Sequence, residues 1–356
     1  MSTLTLPIKQ PFDPSTIEVE VKNVTIGVLI DMLKNDAIDL TPAFQRKQDL
    51  WNDEKKSRLV ESILLGLPLP SFYFSIEKDS KRWVVIDGLQ RLCTLKKFAI
   101  DQALELKGLD FLGKQYGKKT YNDFEYFEKL SFSMLSVTVN ILKGKTPPDV
   151  KYLIFQRINS AGTPLTPQEI RNALNQGVAT RLLEDMADIP LFRQMTKGVS
   201  TQRMADKEFV LRFLAFYLIG YESYEGDMDA FLNVAMHALN QLSQDDLDGA
   251  KVAFCRGLFV CRELLGDDAF RKPISDSGRR NPVSKALFDA LAVSVSKLTQ
   301  AEQDDLILKK TLFSTFYIEL FQDKRLQKTL SEGTGKSKSV GYRFQKMEEV
   351  IRKTLD

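Results

Sequence analysis

The spacing of apolar positions changes period partway along the chain. "TIEVEVKNVTI" (16–26) alternates apolar and polar residues and predicts a half-buried strand, with "IGVLIDML" (26–33) continuing as a short helix. "IDLTPAFQRKQDLW" (38–51) is polar and extended, and Pro42 disfavours helix there. "NDEKKSRLVESILLGLPLP" (52–70) predicts a helix. Asn52 stands at the N-cap, Asp53 and Glu54 suit the positive helix end, and Leu59, Ile63 and Leu67, with Val60 and Leu64, form the apolar stripe. Gly66 and Pro68 end it. "SFYFSIEK" and "RWVVID" predict two strands joined by a short turn, and from Leu89 the period is helical, with Leu92, Leu95 and Ala99 on one face. Residues 101–130 carry no clear period. "MLSVTVNIL" (134–142) predicts another strand, "KGKTPPD" (143–149) breaks the pattern, and the rest of the chain is overwhelmingly helical.

These elements predict an α+β domain over residues 1–148 and a helical domain over 149–356, with loops at 274–282 and 331–341. "FVLRFLAFYLIGY" (209–221) is the most apolar stretch. It contains Arg212 and is shorter than the roughly 20 residues a bilayer requires, so it predicts a buried helix. No membrane association is expected.

Composition narrows the chemistry. The 356 residues include one histidine and three cysteines, with no CxxC pair and no secretory leader, which argues for a reducing cytoplasm and against zinc, haem or a disulfide framework. His237 sits in the apolar stretch "FLNVAMHALNQL" and is expected to be a core or half-buried residue. An HNH nuclease or a Ser-His-Asp triad needs more than this. Carboxylate, Arg, Lys, Asn and Gln remain, the side chains of phosphate handling, commonly with Mg²⁺. A net charge of +3 is too small to signal nucleic acid by itself, so any basic surface is local. The lysines of 114–119 and Arg279-Arg280 read as solvated faces that could also touch phosphates.

Four stretches are candidates for chemistry. In "VVIDGLQRLCTL" (84–95) a strand delivers Asp87 to a helix start, Gly88 permits close backbone approach, and Arg91 lies near the first turn. Unpaired N–H groups and the helix dipole make such a junction an anion site. Asp87 could hold Mg²⁺, orient Arg91 or polarise water. "FQRINSAG" (155–162) brings Arg157 and Asn159 to a helix end, where ligand contact and capping are equally supported. "LTPQEI" (165–170) has a structural account: Thr166 and Glu169 form a capping box, Pro167 sits at N1, and Leu165 and Ile170 are spaced as a hydrophobic staple. "TGKS" (334–337) lacks the earlier glycine and the strand of a Walker loop and reads as a basic loop.

"FQRKQDLW" (44–51), "LVESILLGLPLP" (59–70), "VVIDGLQRLCTL" and "IFQRINSAGTPLTPQEIRNAL" (154–174) occur in one order. Together they resemble the N-terminal domain family of GmrSD-type restriction endonucleases, over roughly residues 20–240. The resemblance implies a ParB/sulfiredoxin-like fold and a strand–Gly–helix junction that binds nucleotide phosphates. It also implies a DGQQR motif linked to nucleoside triphosphate hydrolysis, which licenses cleavage of foreign, often modified DNA. Carried over, Asp87, Gly88, Gln90 and Arg91 fall on that motif, Gln45 and Arg46 on the QR element, and Arg157 and Asn159 on the RIN element. Leu89 departs from the motif, replacing its first Gln. The implied roles are catalysis for Asp87 and Arg91: Arg91, with Arg46 or Arg157, neutralises the phosphates of a nucleoside triphosphate, and Asp87 organises Mg²⁺ as a metal ligand or orients the attacking water. The implied partners are DNA or a separate nuclease subunit, and self-association is left open. Two alternatives stand beside this reading. One is a ParB-like nuclease using a metal between Asp87 and Glu61; the other is a non-enzymatic DNA-binding or scaffold module.

Overall fold

A computed structural model describes residues 18–40, 51–76, 82–143, 146, 148–158, 166–175, 177–201, 203–273 and 280–356. The four predicted strands pair with a short fifth, β2, into one mixed sheet of order β1-β5-β3-β4-β2, built from β1 (Val19–Thr25), β2 (Ile38–Asp39), β3 (Phe72–Ile76), β4 (Trp83–Asp87) and β5 (Ser136–Leu142). β3 and β4 form the expected antiparallel pair, whereas β3 runs parallel to β5 and β2 parallel to β4.

Alternation along the strands separates two apolar clusters. Phe72, Phe74, Val85, Val137, Val139 and Ile141 join the larger one, with residues of α1 (Ile26–Lys34), α2 (Asp53–Leu64), α3 (Leu89–Leu95) and α5 (Tyr126–Met134). Ile86 and Leu142 belong to a smaller one, with Tyr152 of α6 (Pro148–Ile158) and Ile170 of α7 (Pro167–Leu174). Asn52 caps α2 as its sequence predicts, accepting the Lys55 N–H at 3.0 Å. α3 runs directly into a π-helical turn at Lys96–Ile100, so Leu92, Leu95 and Ala99 all reach the core. The aperiodic stretch contains the short α4 (Gly113–Tyr116).

Two compact units divide after Leu174. The sequence pattern alone placed the change at 148/149, where helix begins to dominate. α6 and α7 are helical, but their apolar side chains pack with Ile86 and Leu142, so they belong to the sheet-bearing unit. The second unit is helical: α8 (Val178–Ala187), α9 (Pro190–Met195), α10 (Ala205–Leu218), α11 (Met228–Leu239), α12 (Gln244–Leu265), α13 (Lys285–Ser296), α14 (Gln300–Leu308), α15 (Lys310–Leu320), α16 (Lys324–Thr329) and α17 (Ser337–Leu355). This is an α+β chain with a helical C-terminal region. No described helix is long and apolar enough to cross a membrane.

Two expectations are corrected. His237 is exposed: it projects from the last turn of α11 with its Nε2 3.0 Å from Gln241, although its neighbours Met236 and Ala238 are buried. Residues 337–341, expected to be loop, open α17. Lys and Ser at 336–339 obscured a helix whose apolar stripe begins only at Val340.

The all-round apolar α10 and α13 are buried, as such helices must be. The one cation in the α10 stretch 209–221, Arg212, meets Asp289 of α13, donating from Nε at 3.0 and 3.1 Å and from Nη2. Burial opposes the guanidinium's charge, but the Asp289 carboxylate outweighs it and holds Arg212 above its ordinary pKa. Removing one partner strands the other charge, whereas replacing both with apolar groups does not. Asp289→Ala is therefore expected to cost about 3–5 kcal/mol in urea denaturation. The double variant Arg212→Met/Asp289→Leu should recover most of that loss.

Candidate functional site

The Asp-Gly junction forms as the sequence implies. β4 ends at Asp87, α3 begins at Leu89, and Gly88 between them has φ +99°. A Cβ at Gly88 would meet the Phe72 ring, standing 3.0 Å from Cε1 and closer still to Cδ1. Glycine is required twice over, for the left-handed backbone and for the close approach of β3.

Arg91 is buried, and its guanidinium is turned inward. Nη1 donates to the Pro70 carbonyl, and Nη2 donates to the Ser71 carbonyl at 3.1 Å and to Asp87 Oδ2 at 2.9 Å. The guanidinium carbon lies 4.3 Å from the centroid of the Phe72 ring. Burial lowers the pKa of Arg91, and Asp87 works against that shift. The side chain therefore clamps the Leu67–Ser71 connection onto the junction and fixes one edge of the Asp87 carboxylate. That carboxylate stays 32% exposed.

Gln90 Oε1 accepts the Trp51 N–H at 3.3 Å. This contact joins the DGxQR motif to the end of the QR…W element. Gln45, Arg46 and Asn159 lie outside the described residues, as does Leu165 of the expected staple. Arg157 is exposed in the last turn of α6. Leu89 is half-buried and packs against both apolar clusters of the sheet, so an apolar side chain suits its surroundings. The Thr166–Glu169 capping box is present, with the Glu169 N–H donating to Thr166 Oγ1 at 3.2 Å and the Thr166 N–H to Glu169 Oε2 at 2.7 Å.

Glu61 lies elsewhere in function. Its buried carboxylate accepts three consecutive backbone N–H groups: Asp110 at 3.0 Å, Phe111 at 2.8 Å and Leu112 at 2.7 Å. Burial pushes its pKa up, yet those three donors and Arg58 outweigh burial and hold it below the ordinary value. Among the described residues no group of three or more His, Cys, Asp or Glu side chains could hold a metal ion. Cys93, on α3, is a buried thiol raised to about 11 by desolvation.

Sequence reasoning missed three partners of the site: the Pro70 and Ser71 carbonyls and the Phe72 ring. "LPLPS" held a signal for them, since two prolines without N–H groups leave a connection that cannot satisfy its carbonyls by a regular ladder.

An α+β sheet domain with an Asp-Gly-x-Gln-Arg junction, its carboxylate fixed by a buried arginine, is the class of domain found here. Residues 28–176 match the family described as "GmrSD restriction endonuclease, N-terminal domain", so over this span the chain is similar to that family. The match ends close to the boundary between the two compact units and short of residue 240. No curated protein and no solved structure matches the chain.

This geometry predicts two outcomes. Gly88→Ala combines a left-handed alanine with a clash against Phe72 and should destabilise the sheet-bearing unit by about 3 kcal/mol, read as a fall in denaturation midpoint. Glu61→Gln should lose about 2 kcal/mol at neutral pH. A carboxylate whose folded pKa is depressed contributes fully above its unfolded value, ordinarily 4.5, and loses that contribution as pH falls through the folded value. The gap between wild type and Glu61→Gln should therefore be full at pH 7 and narrow below pH 4.5.

Proposed function

We propose that this protein is a nucleotide-binding, nucleoside-triphosphate-hydrolysing component of a DNA-targeting restriction system, with the phosphates held at the Asp87–Arg91 junction. The observation that carries this is the match of residues 28–176 to a restriction-endonuclease N-terminal domain, together with a partly exposed carboxylate at a strand–Gly–helix turn. Asp87 would take Mg²⁺, whose remaining ligands come from phosphate oxygens and water, as is usual for this ion. When bound, Mg²⁺ supplies charge neutralisation on the phosphates.

In this reading Arg91 is a positioning residue. Its donors are directed at Pro70, Ser71 and Asp87, so it orients the carboxylate and shapes the turn. Neutralisation of the triphosphate falls to Arg46 or Arg157 from the neighbouring motifs. DNA cleavage is assigned to a separate nuclease subunit. The alternative of a metal shared by Asp87 and Glu61 is disfavoured, because both Glu61 oxygens are already engaged by backbone donors.

Isothermal titration of the purified chain with a panel of nucleoside triphosphates and Mg²⁺, paired with phosphate-release assays with and without DNA, tests this. Asp87→Asn should weaken binding roughly tenfold or more, or abolish release; because it also removes the counter-charge of the buried Arg91, it should lower the melting temperature, so binding is read at a temperature where the variant is folded. Arg91→Lys should lower both stability and turnover, since a single ammonium cannot satisfy the two carbonyls and the carboxylate together. Absence of nucleotide binding in the wild type, or normal turnover in Asp87→Asn, would sink the reading.

A further inference from the structure

The stretch between Leu106 and Lys119 is a closed loop standing on α2. Its neck is pinned by two backbone bonds, Leu106 N–H to the Lys119 carbonyl at 3.0 Å and Lys118 N–H to the Leu106 carbonyl at 2.7 Å. Lys118 is held there with φ +66°, a left-handed backbone that a lysine adopts only under constraint. One face of α2 grips the rest. Asp53 takes Lys107 Nζ at 3.2 Å, Ser57 Oγ accepts the Lys107 N–H at 3.0 Å, Arg58 Nε donates to the Gly108 carbonyl at 3.3 Å, and Glu61 takes the three N–H groups at the tip. Compact loops with closed ends and internal packing are frequently functional.

This scaffolding presents one side chain. Leu109 and Leu112 pack inward against the core and Tyr116 is buried, whereas Phe111 is 79% exposed. An aromatic ring presented to solvent on constrained backbone is pre-organised to stack on a partner. The surroundings are basic: residues 107–119 contain Lys107, Lys114, Lys118 and Lys119 against the single acid Asp110, which is paired with Arg58 at 3.6 Å. Lys114 and Lys118 are exposed, and Lys119 lies over the Tyr116 ring. An exposed ring on the same closed loop as exposed lysines suits a nucleic-acid strand, which offers a base to stack on and phosphates beside it.

We propose that the Leu106–Lys119 loop is a DNA-contact element, in which Phe111 stacks on an unstacked base while Lys114 and Lys118 neutralise adjacent phosphates. The proposal rests on the DNA-targeting reading above but not on the nucleotide site. Glu61 is then a positioning residue for the loop, which accounts for a buried carboxylate spent entirely on backbone.

The test is fluorescence anisotropy of the full-length protein with labelled duplex and single-stranded oligonucleotides across a salt series. Phe111→Ala should weaken binding about tenfold at every salt concentration and leave the salt slope unchanged, and Phe111→Trp should restore affinity. Lys114→Ala and Lys118→Ala should each reduce the log–log salt slope by about 0.7–0.9. Phe111 is exposed, so its variants should keep the wild-type melting temperature. Nucleotide titration of Phe111→Ala should match wild type. Wild-type DNA binding that Phe111→Ala leaves unaltered overturns the loop assignment while DNA targeting stands. No DNA binding by wild type overturns both, and nucleotide binding lost with Phe111→Ala would place the ring at the other site.

Discussion

The sheet-bearing unit depends on one buried guanidinium. Arg91 is held where three segments meet that the β3–β4 pairing brings side by side: the Leu67–Ser71 connection, the start of β3 at Phe72, and the Asp87–Gly88 turn. Each contact answers a separate need. Two carbonyls in a proline-rich connection require donors, a carboxylate at a strand end requires a counter-charge, and the guanidinium itself requires a desolvated but saturated setting. Gly88 makes the arrangement feasible by letting Phe72 lie where a Cβ would otherwise stand. A motif that looks built for a ligand is thus first a fold-holding device, and its chemistry is what the clamp leaves exposed, the outer edge of Asp87.

The same device recurs in the helical unit. Arg343 donates to the carbonyls of Thr329 and Thr334, each at 2.8 Å, and fixes the loop before α17, where Tyr224 also donates to the Gly335 carbonyl at 2.5 Å. Burial pushes Arg343 down to about 10. Arg271 bridges the carbonyls of Lys197 and Asn281. In a chain whose three cysteines are all free, planar multi-donor arginines perform the loop-fastening that cross-links supply in other proteins.

α2 connects the two parts of the functional reading. Its polar face, Asp53, Ser57, Arg58 and Glu61, grips the Phe111 loop. The chain leaving its C-terminus is the connection that Arg91 clamps. The "LVESILLGLPLP" stretch (59–70) therefore shapes both candidate sites without supplying a reacting group to either. Gln90 extends the same logic toward Trp51, so neighbouring motifs hold one another in place.

The elements were legible because strand alternation, the Asn52 cap, the Gly66 stop and the Thr166–Glu169 box are local signals that burial merely enforces. Sequence also determined the chemistry available, one histidine and three cysteines, and the Asp87–Gly88–Arg91 order, which lies within the span that the family model matches. What it left open was pairing over long separations. Nothing local says that β3 runs parallel to β5, that α6 and α7 serve the sheet, or that Glu61 binds a turn some 50 residues away. His237 and the start of α17 misled for the same reason, since exposure is decided by what packs against a helix. Only tertiary structure decided where Arg91 points. A guanidinium's partners are whichever carbonyls and carboxylates the fold brings within reach, and its two carbonyls came from residues 20 and 21 positions earlier, whose prolines signal a need for donors but not which donor meets it.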